Sequence, residues 1–165
     1  MSATHRLALP FILPGQAQKE LFHNEALQAL DLVVAAAVEE PPRGAPPAAP
    51  VIGTCYIVAA SPSGAWLGHA GCLAGMTSAG WRFVTPIDGL AAYVRSSGVT
   101  AMYRAGAWEL GMLRGDRVEI GGQQVVGPRS NAIAAPAAGS VIDAETRTAV
   151  SAILAALRQH GLIAS

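Results

Sequence analysis

One stretch of the chain gathers enough functional groups to suggest chemistry, Gln18-Lys-Glu-Leu-Phe-His-Asn-Glu25. On a helix Glu20, His23 and Asn24 fall within one turn, so a carboxylate and an imidazole could share a face and work as an acid–base pair. The same side chains can instead form a hydrogen-bonded seam where a helix meets a β-domain or a neighbouring subunit. The seam is the expected reading, because neither a nucleophile nor an oxyanion-stabilising element accompanies the pair.

Elsewhere the search for reactive groups finds little. None of His5, His23, His69 and His160 has an Asp, Glu, Cys or second His at ligand spacing, so no metal is expected. His69 in Gly68-His-Ala-Gly71 reads as a solvated loop residue, and His160 as a cation favoured by the end of a helix. Cys55 and Cys72 are too few for a disulfide scaffold and read as small buried hydrophobes in a protein made in a reducing cytoplasm. Gly71 to Gly80 carries glycines without the strand–loop–helix context of a phosphate loop, and no Gly-x-Ser-x-Gly elbow is present. The acidic residues are scattered, so a two-carboxylate glycosidase site is not visible. No enzyme activity and no cofactor are expected. The tryptophans recur in a weak repeat, Gly-Ala-Trp at 64–66 and 106–108 and Gly-Trp at 80–81, each expected at the start of a strand after a tight turn. Trp66, Trp81 and Trp108 then serve as core plugs and turn staples, or as platforms on which sugar rings stack.

These groups must be carried by three regions. Leu7-Ala-Leu-Pro-Phe-Ile-Leu-Pro14 is an extended apolar arm whose prolines forbid a helix. Gln16 to Val38 reads as a helix, with Leu21, Leu27, Leu30, Val34 and Val38 at helical spacings and Glu39-Glu40-Pro41-Pro42 ending it. Residues 41–50, PPRGAPPAAP, form a Pro-rich spacer of extended chain. From 51 to 115 short runs and glycine turns predict an antiparallel β-core, with strands at Gly53–Ala59, Gly80–Thr85, Leu90–Arg95, Val99–Tyr103 and Trp108–Leu110. Residues 116–165 hold two strands about Gly121-Gly122 and a final helix. Asp143 caps that helix, Val150, Ile153, Leu154 and Leu157 form its stripe, and Gly161 ends it. The expected fold is α+β, a small antiparallel β-barrel or sandwich flanked by an N-terminal and a C-terminal helix, divided as 1–40, 41–50, 51–115 and 116–165.

Composition narrows the function classes. The 165 residues carry a formal net charge of zero, 52% apolar residues and only 13% charged ones. A chain so poor in charge is expected to bury part of its surface against partners. Without a Lys/Arg cluster it has no electrostatic footprint for nucleic acid. Met1 to Pro14 lacks the pattern of a signal peptide, and Leu30 to Val38, which contains Asp31, is far too short to span a bilayer.

Several blocks together carry a resemblance. They are Leu9-Pro-Phe-Ile-Leu-Pro-Gly-Gln-Ala-Gln-Lys-Glu-Leu21 with His23-Asn-Glu-Ala-Leu27 and Asp31, then Pro46-Pro47, Gly53-x-Cys-Tyr-Ile-Val58, Gly64-Ala-Trp66-x-Gly68 and Gly80-Trp-Arg-Phe-Val-x-Pro86. Val125-Val-Gly127, Ala132-Ile133, Asp143-x-Glu-x-Arg147 and His160-Gly-Leu-Ile163 extend the match. In these the chain resembles small structural proteins encoded in prophages and gene-transfer-agent clusters of alphaproteobacteria. The closest resemblance is to the base of a gene transfer agent's head spike, which sits on capsid vertices and carries a fibre that binds capsular polysaccharide. The resemblance implies a virion component without catalytic residues, made in the bacterial cytoplasm and assembled onto the head of a phage-like particle. Its implied partners are further copies of itself in a cyclic homo-oligomer, a capsid vertex protein and a spike fibre protein, with cell-surface polysaccharide met indirectly. Neither nucleic acid nor membrane insertion is implied.

On this reading Leu9, Phe11, Ile12, Gln18, Glu20, His23 and Asn24 make subunit contacts, with Leu7 to Pro14 ordered only by a neighbour. Leu157, Leu162 and Ile163 meet another component. The alternative is a carbohydrate-binding module of a phage tail or fibre, using Trp66, Trp81 or Trp108. A glycan-cleaving enzyme, with carboxylates converging from separate loops, is a third and weaker reading.

Overall fold

In a computed structural model, which describes residues 3–12, 19–137 and 143–164 (of Lys19 and Glu20 the backbone alone), helix α1 spans Lys19–Val33. It stops earlier than its apolar spacing predicts. The bond from Val34 N–H to the Leu30 carbonyl closes its last turn, and Ala35 then takes a left-handed conformation with φ 47°. That residue turns the chain from helix to strand, so Ala37–Val38 form β1 and the prolines at 41 and 42 are not what ends the helix. Val38 is fully buried in the β-core and does not belong to a helical stripe.

The chain divides into two units, residues 1–112 and 113–165. In the first, β2 (Cys55–Ile57), β3 (Leu73–Thr77) and β4 (Gly80–Val84) form a three-stranded antiparallel sheet. Strand β3 lies in the glycine-bearing stretch from which no element was expected. A second sheet has the order β1-β5-β6-β7, with β5 at Ala91–Val94, β6 at Val99–Arg104 and β7 at Ala107–Leu110. Its pairs are antiparallel except β1–β5, which is parallel.

The segment behind α1 joins the two sheets. Tyr93 and Arg95 N–H donate to the Ala36 and Val38 carbonyls, while Glu39 N–H donates to Cys55 O and Arg43 N–H to Ile57 O. The Pro-rich stretch, expected as a spacer, is therefore extended but fastened at Arg43, which pairs with Val58 in a parallel bridge. The sheets remain open, so α+β holds and a closed barrel does not.

Side-chain alternation assigns the faces. Cys55, Ile57 and Leu73 from the first sheet meet Val38, Ala92, Val94 and Ala101 from the second in one apolar core, with Leu32 of α1 among them. Each fully buried Val, Leu or Ile side chain there contributes roughly 1.5–3 kcal/mol. Helix α1 comes close enough to β3 that Gly75 has no room for a side chain: a Cβ would lie 2.1 Å from Leu32 Cδ2. The other face of the first sheet carries Tyr56, Val58 and Ala74 under Trp66, with Trp81 and Phe83 beside them.

The second unit holds the β8–β9 hairpin, Val118–Ile120 with Gln123–Val126, turned by Gly121 and Gly122 at φ 60° and 76°. Helix α2 runs Ala144–Gln159. Asp143 accepts from Thr146 N–H at 2.9 Å and from its hydroxyl at 2.6 Å, and Gly161 at φ 73° ends it as expected. The returning chain pairs Ser130 with Ile163, and Arg129 Nε donates to the Ile163 carbonyl at 3.0 Å. Of the stripe residues Leu154 is buried, whereas Ile153 faces outward.

Candidate functional site

Helix α1 does not bury the row that its apolar spacing suggests. Asn24, Gln28, Asp31 and Leu32 point toward the protein, and three of these four are polar. Leu21, Phe22, Leu30 and Val34 point away, Phe22 being 78% exposed and Leu30 and Val34 about half. Phe22, Ala26, Leu30 and Val34 follow one another at intervals of four, which makes a continuous outer row. Of the expected buried stripe, Leu27 alone is half-buried within α1, while Leu21, Leu30 and Val34 are exposed.

The arm explains why the inner face is polar. Asp31, 5% exposed, accepts from Thr4 Oγ1 at 2.9 Å, from Arg6 N–H at 3.0 Å and from Leu7 N–H at 2.5 Å. The Arg6 guanidinium in turn donates to the carbonyls of Asp31, Leu32 (3.2 Å) and Ala35 (2.8 Å), which the end of the helix leaves without intrahelical partners. Thr4 and Leu9 close the loop by a backbone bond, Thr4 N–H to Leu9 O at 2.9 Å, and Thr4 Oγ1 accepts from Leu9 N–H at 3.0 Å. Further along, the Asn24 amide accepts from Ile12 N–H at 3.0 Å and donates to Ile12 O at 3.2 Å, satisfying that backbone as a strand would. The arm is thus held by its own helix as far as Ile12, against the expectation that a neighbour alone would order it.

The placement of the other expected contact residues follows. Leu9, Phe11 and Ile12 are half-buried. Asn24 belongs to the arm seam and His23 is exposed, so those two do not form one reactive cluster. Gln18 and the Glu20 side chain lie outside the described residues. In the second unit Leu157 is half-buried, Leu162 exposed and Ile163 buried.

The tryptophans divide sharply. Trp66 lies in a short 3₁₀ turn, Gly64–Trp66, not at the start of a strand, and its side chain is wholly buried. No sugar ring can reach it. Its ring meets Tyr56 (5.6 Å) and Trp81 (5.1 Å, edge-on), so Trp81 completes an aromatic plug. His69 is not a solvated loop residue, for its ring stacks on Phe83 at 3.6 Å. Trp108 differs. It packs edge-on to Tyr103 at 5.3 Å, its indole N–H donates to Gly71 O at 2.8 Å, and both rings line an open cleft of about 360 Å³.

Burial pushes the Cys55 thiol up to about 11, with the Arg6 guanidinium opposing the shift. Hydrogen bonds from Thr146, first its hydroxyl and then its N–H, hold the Asp143 carboxyl below its usual range. Among the described residues no three His, Cys, Asp or Glu side chains gather as metal ligands, and no helix is long and apolar enough to cross a membrane.

Residue spacing alone does not select the buried face of α1, since Phe22, Ala26, Leu30 and Val34 fit a helical stripe as well as Leu21, Leu27, Leu30, Val34 and Val38 do. The signal is the polar pair Asn24 and Asp31, seven residues apart on one face, which the arm satisfies, while the buried Oε1 of Gln28 between them has no hydrogen-bond partner among the described residues.

No curated protein matches the chain, and no solved structure does. A family match spans residues 23–109, from the second turn of α1 through both sheets of the first unit to Glu109 in β7. The chain belongs to that family, described as Protein of unknown function (DUF2793).

Proposed function

We propose that this chain is a structural docking protein of a phage-like particle, an adaptor that assembles with copies of itself and holds other components in place. The observation that carries this reading is the outer row of α1: the helix holds the arm with Asn24 and Asp31 and leaves Phe22, Leu30 and Val34 to the outside. A contiguous apolar row on a rigid element is the usual mark of a protein–protein contact. The seam with the arm fixes that row in advance, so little ordering entropy opposes association.

The finer assignment, the base of a head spike on a gene transfer agent carrying a capsule-binding fibre, rests on the resemblance of the N-terminal and β-core blocks. The carbohydrate-binding alternative has one observation in its favour, the Trp108–Tyr103 cleft.

Two measurements test the proposal. Light scattering on the purified chain should give a homo-oligomer, and Phe22→Glu with Leu30→Glu should give a folded monomer; a wild-type monomer at high micromolar concentration overturns self-assembly. Cryo-electron microscopy of particles from the producing cell should place the chain on the head surface. Particles that lack it overturn the virion role.

A further inference from the structure

Strand β7 ends its sheet, and its hydrogen-bond register leaves a defined part of its backbone unpaired. The β6–β7 hairpin turns at Ala105 and Gly106, both at positive φ (46° and 83°), so the flanking pair Arg104–Ala107 exchanges both of its bonds. Alternation then puts Met102–Glu109 in the bonded class, and the bond from Gly111 N–H to Thr100 O confirms the phase. Trp108 and Leu110 therefore direct N–H and C=O away from β6. Among the described residues these groups have no backbone partner.

The same Trp108 lines the cleft, together with Tyr103, Pro42, Val58, Ala70 and Ala107. No charged side chain borders it, and its walls are small residues around an aromatic pair. The indole is tied to Gly71 O, so the wall is fixed before anything binds. β7 is short, but it contains neither proline nor lysine, and its one charge, Glu109, is engaged 3.6 Å from Arg104.

We infer that β7 and this cleft form a site for an uncharged, extended segment of a partner protein, which adds as a strand along Trp108–Leu110 and places one apolar side chain against Trp108 and Tyr103. Two features select this occupant. Outward amide and carbonyl groups at every second residue demand a ligand with the same repeat, which a peptide has. An uncharged cleft penalises a buried charge without a counter-charge. The site lies outside α1 and so supplies an adaptor's second contact independently of self-assembly.

The test uses the full chain and peptides selected against it from a display library of short random sequences. Selected peptides should be uncharged at their anchoring positions, and N-methylation at alternate residues should weaken binding about tenfold while the intervening positions tolerate it. Ala70→Arg, a change at an exposed lining residue, should abolish binding with unaltered circular dichroism. The assay is repeated on the Phe22→Glu, Leu30→Glu chain, where retained binding separates this site from α1. Peptides whose affinity ignores N-methylation, or that bind Ala70→Arg unchanged, overturn the inference. So does selection of no peptide by a folded chain that binds neutral oligosaccharides through Trp108.

Discussion

Arg6 and Asp31 hold each other through the backbone: the carboxylate takes the arm's N–H groups while the guanidinium takes the helix carbonyls, including that of Asp31 itself. Each side chain thus satisfies groups that the other's segment leaves open, and the arm becomes the C-terminal cap of α1.

Asp31→Ala should cost about 3 kcal/mol, because it leaves the buried Thr4 hydroxyl and two half-buried N–H groups without their acceptor. Arg6→Ala should cost less, since water can reach part of the helix end. Urea unfolding measures both. Hydrogen exchange should show the arm opening in either variant; an arm still protected in Asp31→Ala would mean the carboxylate does not hold it.

Gly75→Ala should destabilise by roughly 1–3 kcal/mol, because the new methyl meets Leu32 in a packed core. Leu32→Val should return part of that loss, so the double variant is more stable than the sum of the singles. Strict additivity in the double-mutant cycle would contradict the close approach.

Trp66→Ala should cost about 3–5 kcal/mol. Trp66→Phe should cost much less, since the buried indole N–H has no partner among the described residues to lose. Thermal denaturation of the two variants measures the difference.

Cys55 should resist thiol reagents in the folded chain, because at pH 8 a thiol near 11 is ionised only to about one part in a thousand. Its folded value lies above the ordinary 9.0, so the unfolded chain gives up the proton first. Its contribution is therefore intact below pH 9 and lost as pH climbs toward 11. Cys55→Ala should flatten that alkaline decline in denaturation midpoints.

Asp143 has the opposite sign. Its carboxyl titrates below the usual 3.8, so its support of α2 is full above that pH and disappears as acid protonates it. Far-ultraviolet circular dichroism should show helix lost on acidification below pH 4, and Asp143→Ala should remove that step.

What the sequence revealed follows how local each determinant is. Asp143, Gly161 and the Gly121-Gly122 turn act within a few residues, and all three were legible. Ala35 was not, since alanine at a left-handed φ carries no signature of its own. Strand β3 was hidden because Leu73-Ala-Gly-Met-Thr77 owes its glycine to Leu32 of another element. The outward face of α1 stayed ambiguous for a similar reason: Asp31 looks like a solvent residue until Thr4, Arg6 and Leu7 are brought to it. Trp66 and Trp108 occur in the same Gly-Ala-Trp triplet, yet one is a plug and the other a cleft wall.

The segment that joins the two sheets also carries the longest strand closure along the chain. β3–β4 and β5–β6–β7 are runs of neighbouring strands whose hairpins close over short loops. Ala37 must find Tyr93, far along the chain, in parallel register. Among the described residues this is the strand pairing of greatest sequence separation, so its closure carries the largest chain-entropy cost of any pairing in the two sheets.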